Sequence, residues 1–364
     1  MTSLAQAQKD LGQLFITGFS GLELSDPTAA WIHDAGIGGV ILFSANYESP
    51  GQLAELTNQI QGCRGDLPLW IGVDQEGGRV QRFKKPFTKL PEAQLIGASQ
   101  SPKLAFEIAE MMAKELAAVG INLNFAPVAD IATNAKNPVI GNRSYGATEE
   151  LVTKMATATV RGHLLHGVQP CVKHFPGHGD TSTDSHFALP KVDTDLATLR
   201  ARELRPFAKC FKSGCSFVMT AHILMTKLDP RLPATLSAKI LQEYLREELR
   251  YDGLIVSDDM EMKAIADHFG AEEAPRLAIE AGCDLVSYRT ENAARTAYVA
   301  LQKALVDGTL SHARVTDSAQ RVRSIKRDVL TPYHPIAVAD LPQKIGLPES
   351  LALVKKLEEL AHRK

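Results

Sequence analysis

The chain has 364 residues, 45% of them hydrophobic and 23% charged, which is enough apolar material for a large core and excludes a disordered chain, a collagen-like repeat or a small stapled scaffold. Forty basic against forty-two acidic side chains leave a net charge of -2, so no chain-wide basic field for nucleic acid exists, while a local patch stays open. The cysteines at 63, 171, 210, 215 and 283 are odd in number and none has C-x-x-C spacing, which argues against a disulfide framework or a zinc knuckle. Cys171 and Cys283 read as small core residues. No basic stretch followed by an apolar one opens the sequence, and no apolar run reaches about 18 residues. The expectation is a cytoplasmic chain with no membrane partner.

In chain order, apolar runs at 14–19, 39–43 and 69–73 precede a stretch of helical spacing at 102–119, in which Leu104, Ile108, Met111, Met112, Leu116 and Val119 share one stripe. Runs at 121–127, 170–174 and 217–222 then alternate with helical stretches at 149–166, 196–212 and 237–250, and the last runs fall at 254–257 and 284–287. Several runs are continuously apolar, as parallel strands covered on both faces require. Eight strand–helix units predict an α/β chain. An open doubly wound sheet would suit such alternation, but the unit count favours a single (β/α)8 TIM-type barrel over 1–330, with irregular strands allowed.

Beyond it, 331–348 carries four prolines and reads as an extended arm. A final helix over 348–363 places Leu351, Val354, Leu357 and Leu360 on one side. That side packs either on the barrel's outer face or on a second copy, which leaves monomer and dimer both open. No second α/β domain is expected in this 331–364 extension.

In a barrel of this kind chemistry gathers where strands end at their C-termini. Polar groups cluster at these places: Asp74-Gln75-Glu76-Gly77-Gly78-Arg79 with Arg82, then Asn124 through Asp130 followed by Gly141-Asn142-Arg143-Ser144. Further on stand Lys173-His174 leading into Phe175-Pro176-Gly177-His178-Gly179-Asp180 and Asp184-Ser185-His186, then Ala221-His222, and Ser257-Asp258-Asp259-Met260. Charged groups directly after apolar strands are costly unless solvated or paired, so their recurrence points to a polar active site.

The segment 174–186 has two readings. His174, His178, Asp180 or His186 could ligate a metal. Alternatively, Asp184 and His186, two apart and on one side of an extended stretch, form a carboxylate–imidazole pair on a glycine-hinged loop that moves protons. The residues alone leave both open. Asp258, at a strand tip, can stabilise or attack a developing cation, with Arg82, Arg143 and Lys173 near enough to keep it ionised. Its structural alternative is a helix N-cap, for which Asp259 is the better candidate.

Together, the strings from Val73 to Arg82, Gly141 to Ser144, Lys173 to His186 and Ser257 to Met260 resemble family 3 glycoside hydrolases, and more narrowly the bacterial β-N-acetylglucosaminidases of peptidoglycan recycling, over about 11–330. The resemblance implies a barrel and needs no cofactor and no metal. It makes Asp258 the nucleophile, His186 the acid/base and Asp184 its partner, with Asp74, Arg82, Arg143, Lys173 and His174 binding the N-acetylglucosamine ring. It also implies double displacement with retention, in which an imidazole replaces one member of the usual carboxylate pair. The substrate would be a small N-acetylglucosamine-containing muropeptide or oligosaccharide. Many members of the family carry a second α/β domain that is not expected here. Phosphorolysis is the nearest alternative. A metal-dependent hydrolase or deacetylase built on His174, His178 and His186 belongs to a different class, and a non-catalytic sugar-binding barrel to a third.

Overall fold

In the computed structural model, which describes residues 3–182, 185 and 189–361, the eight apolar runs pair side by side as parallel strands. They are β1 (Phe15–Thr17), β2 (Gly39–Leu42), β3 (Trp70–Val73), β4 (Leu123–Asn124), β5 (Gln169–Phe175), β6 (Phe217–Thr220), β7 (Leu254–Asp259) and β8 (Leu285–Tyr288). Each pairs with its neighbours in sequence, and β1 pairs with β8, which closes the barrel. The open doubly wound sheet is thereby excluded. Asp184 and His186 lie outside the described residues.

The fourth run is the one most shortened. Only Leu123 and Asn124 pair as regular strand; beyond them Pro127 brings no N–H, but the Ala126 and Pro127 carbonyls still accept the N–H groups of Cys171 and Lys173, and a single bridge joins Val128 to Lys173. β5 is also irregular, its pairing with β6 shifting between Val172 and Phe175.

Helices cover the outside, and several start where a hydroxyl caps them. Ser25, Ser49, Ser101, Thr148, Thr290 and Ser311 each accept the backbone N–H three residues on. The stripe from Leu104 to Val119 is buried throughout. The stretch expected as one helix at 196–212 is two, Leu196–Ala201 and Leu204–Lys212. They part at Arg202, whose guanidinium pairs with Asp180 and Glu203. The stretch at 237–250 forms a helix over Lys239–Glu248 in the wider π winding.

The final helix, Pro348–Ala361, lies on the same chain's helices Ala93–Ala98 and Pro102–Ala118. Leu353, Val354, Leu357 and Leu360 meet the core, whereas Leu351 of the expected stripe is 55% exposed. A strict three-residue spacing drifts off a 3.6-residue helix, so Leu353 takes the place assigned to Leu351.

Inside the barrel, Ile16, Ile41, Trp70, Leu123, Phe125, Cys171, Phe217, Met219, Leu254, Val256 and Leu285 fill the lumen. Trp70 meets Phe217 edge to face at 4.8 Å. The helix His312–Leu330 adds Val322 to this cluster, with Ile325, Val329 and Leu330 packed against it. It thus closes the end where the strands begin and leaves the C-terminal mouth free for polar residues.

That helix also buries Lys326, which lines a cavity of about 470 Å³ beside the residues that precede β1, β2 and β3. Its Nζ donates to Gln13 Oε1 at 3.1 Å, and among the described residues no carboxylate pairs with it. Burial, with the nearby Arg323 adding to it, pushes its pKa down to about 7. A lysine that gives up its proton in the folded state and holds it in the unfolded one makes stability rise with pH, here from about 7 to the unfolded value near 10.4. Lys326→Met is expected to flatten that rise and to increase Tm at pH 7, by about 2 °C for each kcal/mol recovered. Thermal unfolding between pH 6 and 10 checks this, and a lower Tm in the variant would count against it.

Candidate active site

Lys173 lies near the end of β5 at the barrel's C-terminal mouth and is almost wholly buried. Its Nζ lies 2.8 Å from Asp74 Oδ1 and 2.6 Å from Glu76 Oε1. Asp74 directly follows β3, and Glu76 stands on a small hairpin, Gln75–Gly77 with Val80–Gln81, that projects from the same place. Arg143 clasps Glu76 with two parallel bonds of 2.8 and 2.7 Å, and Arg82 reaches Asp74 at 3.2 Å. Burial would raise the pKa values of both carboxyls. The cations overcome it, Lys173 and Arg82 at Asp74, and Arg143 and Lys173 at Glu76, so Asp74 is held below and Glu76 well below the usual range, and both stay ionised. Burial likewise opposes the ammonium of Lys173, yet the two carboxylates hold its pKa up.

A second layer of polar groups sets these side chains. Asn124, at the end of β4, accepts the Gln75 N–H at 3.0 Å and donates to the Gln75 carbonyl at 3.0 Å, which fixes the backbone beside Asp74. The Gln75 side chain in turn accepts the N–H groups of Arg82 and Phe83 at 2.8 and 3.2 Å. His163 supports Asn124 at 2.9 Å. Its pKa is pushed by burial to about 4, so its ring is neutral and receives a hydrogen from the amide. Asp130 is buried too, accepting from His174 Nδ1 at 2.7 Å and from the His178 backbone N–H at 2.6 Å. The Asp130 bond assigns the His174 hydrogen to Nδ1 and turns Nε2 toward the Arg143 guanidinium, 3.4 Å away.

Asp258, near the end of β7, faces the same pocket, which has a volume of about 150 Å³ and is bordered by Asp74, Glu76, Arg82, Arg143, Lys173 and His174 together with His178, Ser185 and Met262. Burial raises its pKa. The imidazoles of His174 and His222, the Asp259 N–H at 2.8 Å and the Lys173 charge outweigh burial and hold it below the ordinary aspartate value, so the carboxylate is ionised. Asp259 goes the opposite way: burial, then the charges of Glu261 and Asp258, push it to about 6 despite its bond from the Glu261 N–H.

The N-cap reading fails for both aspartates. The next helix is Lys263–Phe269 with Met262 at its cap, and Asp259 instead accepts the N–H groups of Glu261 and Arg289 in a turn. β7 runs on through Asp259, so the helix starts too late for either side chain to reach its first N–H groups.

Of the residues singled out in the sequence, Asp74, Arg82, Arg143, Lys173, His174 and Asp258 are brought to one pocket from four strands and their loops. Asp184 and His186 lie outside the described residues. Ser185 between them is described: its carbonyl accepts the Ala264 N–H at 3.2 Å and its hydroxyl lies 3.3 Å from His178 Nε2.

The alternative metal cluster does not assemble among the described residues. His174 is engaged by Asp130, His178 lies between Thr181 and Ser185, and Asp180 turns away to Arg202 and Thr194. Sequence reasoning gave no role to Glu76 or Asp130, and offered His178 only as a metal ligand. Each stood in a quoted motif, and the signal that could have singled them out was the recurrence of charge and imidazole at strand ends.

Known proteins resemble this chain over nearly the whole barrel. The model of the glycosyl hydrolase family 3 N-terminal domain matches residues 6–325. A beta-hexosaminidase of Alkalilimnicola ehrlichii is 40% identical over 282 residues, covering 76% of this chain and 80% of its own. Among solved structures, a family 3 β-N-acetylglucosaminidase from Paenibacillus sp. is 39% identical with a TM-score of 0.90, over 97% of this chain and 68% of that one. NagZ from Neisseria gonorrhoeae, in complex with N-trifluoroacetyl-D-glucosamine, is 31% identical with a TM-score of 0.77, over 96% and 98%. Family match, close relatives and a pocket at the barrel mouth lead to one conclusion: the chain belongs to glycosyl hydrolase family 3 and is a glycoside hydrolase of the β-N-acetylhexosaminidase type.

Proposed function

We propose that the enzyme is a retaining exo-β-N-acetylglucosaminidase that removes terminal N-acetylglucosamine from peptidoglycan-derived muropeptides in the cytoplasm. The observation that carries this reading is Asp258, an ionised carboxylate at a strand tip facing a pocket lined by Lys173, Arg82 and Arg143. A discrete pocket rather than a groove suits a chain end. Asp74, Arg82, Arg143, Lys173 and His174 hold the sugar hydroxyls. The amide-bearing sugar bound in the gonococcal relative supports N-acetylglucosamine as the occupant.

In this mechanism Asp258 attacks the anomeric carbon while protonated His186 gives its hydrogen to the glycosidic oxygen, so the aglycone leaves as an alcohol. His186 then takes a proton from water, which displaces Asp258 and restores the configuration. Asp184 favours the protonated ring. An imidazole suits a donor working beside a carboxylate, because it becomes neutral rather than anionic after the transfer.

Asp258→Ala is expected to lower kcat on an aryl N-acetyl-β-glucosaminide by at least about 10³-fold with the Lys173–Asp74 bridge and Tm little changed. Turnover within tenfold of the parent would remove Asp258 from the nucleophile role. The matching aryl β-glucoside is expected to react far more slowly, and the product formed in phosphate buffer identifies the acceptor.

The pH profile separates the two catalytic groups. Because Asp258 titrates below the usual aspartate value of about 3.9, activity persists well into the acid range, and the basic limb reports loss of the His186 proton. A neighbouring carboxylate raises an imidazole pKa, so Asp184→Asn is expected to shift the basic limb of kcat/KM to lower pH by about one unit. An unmoved limb would dissolve the proposed pair.

A further inference from the structure

The 331–361 segment has no part in the reaction described above, yet it reaches the loop that follows Arg82. Tyr333 donates to Asn58 Oδ1 at 3.1 Å, and Asn58 exchanges bonds of 2.9 and 3.0 Å with the Ile336 backbone, tying the segment to helix Pro50–Gly62. Leu341 and Ile345 are buried. The Gly346 N–H then donates to Glu115 Oε1 at 2.9 Å. Gly346 has φ +67°, and a Cβ there would stand 2.2 Å from the Pro86 carbonyl oxygen, so only glycine fits so close to the 83–90 loop.

Glu115, buried on helix Pro102–Ala118, is the meeting point. Its carboxylate accepts the Thr88 hydroxyl at 2.6 Å and the Thr88 N–H at 3.0 Å, in addition to Gly346. The Thr88 carbonyl in turn accepts Gln81 Nε2 at 2.9 Å, and Gln81 also bonds the Phe83 carbonyl and the Leu90 N–H, both at 2.9 Å. Gln81 immediately precedes Arg82. Residues 83–90 form no helix or strand of their own. Their placement rests on these bonds, on Tyr47 donating to the Lys84 and Lys85 carbonyls, and on the packed rings of Tyr47, Phe83 and Phe87.

We propose that the 331–361 arm is a brace that sets the Arg82 loop through Gly346, Glu115 and Thr88, and so determines affinity for the sugar. This rests on the reading of Arg82 as a sugar-holding residue. Gly346, Glu115 and Thr88 are positioning residues: none lines the pocket. A loop without regular structure must be ordered when substrate binds unless it is ordered beforehand, and bracing removes that cost. Because Arg82 grips the sugar in the ground state and the transition state alike, loosening the brace acts on KM and leaves kcat alone.

The test uses the full chain with Gly346→Ala, which pushes the arm off Pro86, and separately Thr88→Val, which keeps the shape and removes one bond to Glu115. Each is assayed on an aryl N-acetyl-β-glucosaminide and by hydrogen exchange over 82–92. The expected result is a KM increase of about 3–10-fold with kcat within about twofold, faster exchange at 83–90, and parent behaviour in Thr88→Ser. Unchanged exchange in both variants overturns the brace. Faster exchange with an unchanged KM also overturns it, provided Arg82→Ala raises KM. If Arg82→Ala leaves KM unchanged as well, the reading of Arg82 has failed, and the proposal falls with it.

Discussion

The barrel's mouth depends on the pairing of one buried ammonium. Lys173 sits near the end of a strand with almost no access to water, and such a charge is tolerated only when opposite charges meet it at bonding distance. Two carboxylates do so, and they belong to the segment that follows β3. The pairing therefore joins β5 to the hairpin carrying Glu76 across the intervening β4. Removing either partner would leave a buried charge uncompensated, so chain entry into the site, hairpin position and local field are set together.

The field has a direction. Lys173, Arg82 and Arg143 face Asp74 and Glu76, one cation more than the carboxylates they neutralise. With His174 and His222 the surplus keeps Asp258 ionised in a site whose burial would otherwise protonate it. Asp259, one residue on and turned toward Glu261, lies outside that influence and shifts the opposite way. Two adjacent carboxyls thus acquire different protonation behaviour from their surroundings alone. Neutral amides and rings carry the arrangement outward: His163 holds Asn124, Asn124 holds Gln75, and Gln75 holds Arg82.

Much of this was legible in the residues. Continuous apolar runs such as 39–43 and 69–73 can be little other than strands buried on both faces, and eight of them in alternation with amphipathic stretches suit a barrel. Asp74, Lys173 and Asp258 were legible as site residues because charge at the end of an apolar strand must be solvated or paired. Less legible were features that depend on partners far away in sequence. The division of 196–212 falls at Arg202, which pairs with the distant Asp180, and the wide winding of Lys239–Glu248 has no signature in its own residues. Asp130 showed only as one more charge beyond a strand end, because its partners are the His174 ring and a backbone N–H forty-eight residues away.

Local patterning by itself determined the element types, the closed parallel architecture as the favoured option, and the set of polar groups at strand ends. Those properties arise from burial of apolar side chains and from periodicity, which are written in consecutive residues. Only the tertiary structure decided which carboxylate meets which cation, that Asp258 is ionised while Asp259 is raised, that neither caps a helix, and that Gly346 reaches Glu115. Each of these is a distance between segments, and Coulomb and desolvation energies depend on such distances steeply enough that no reading of residues in order supplies them.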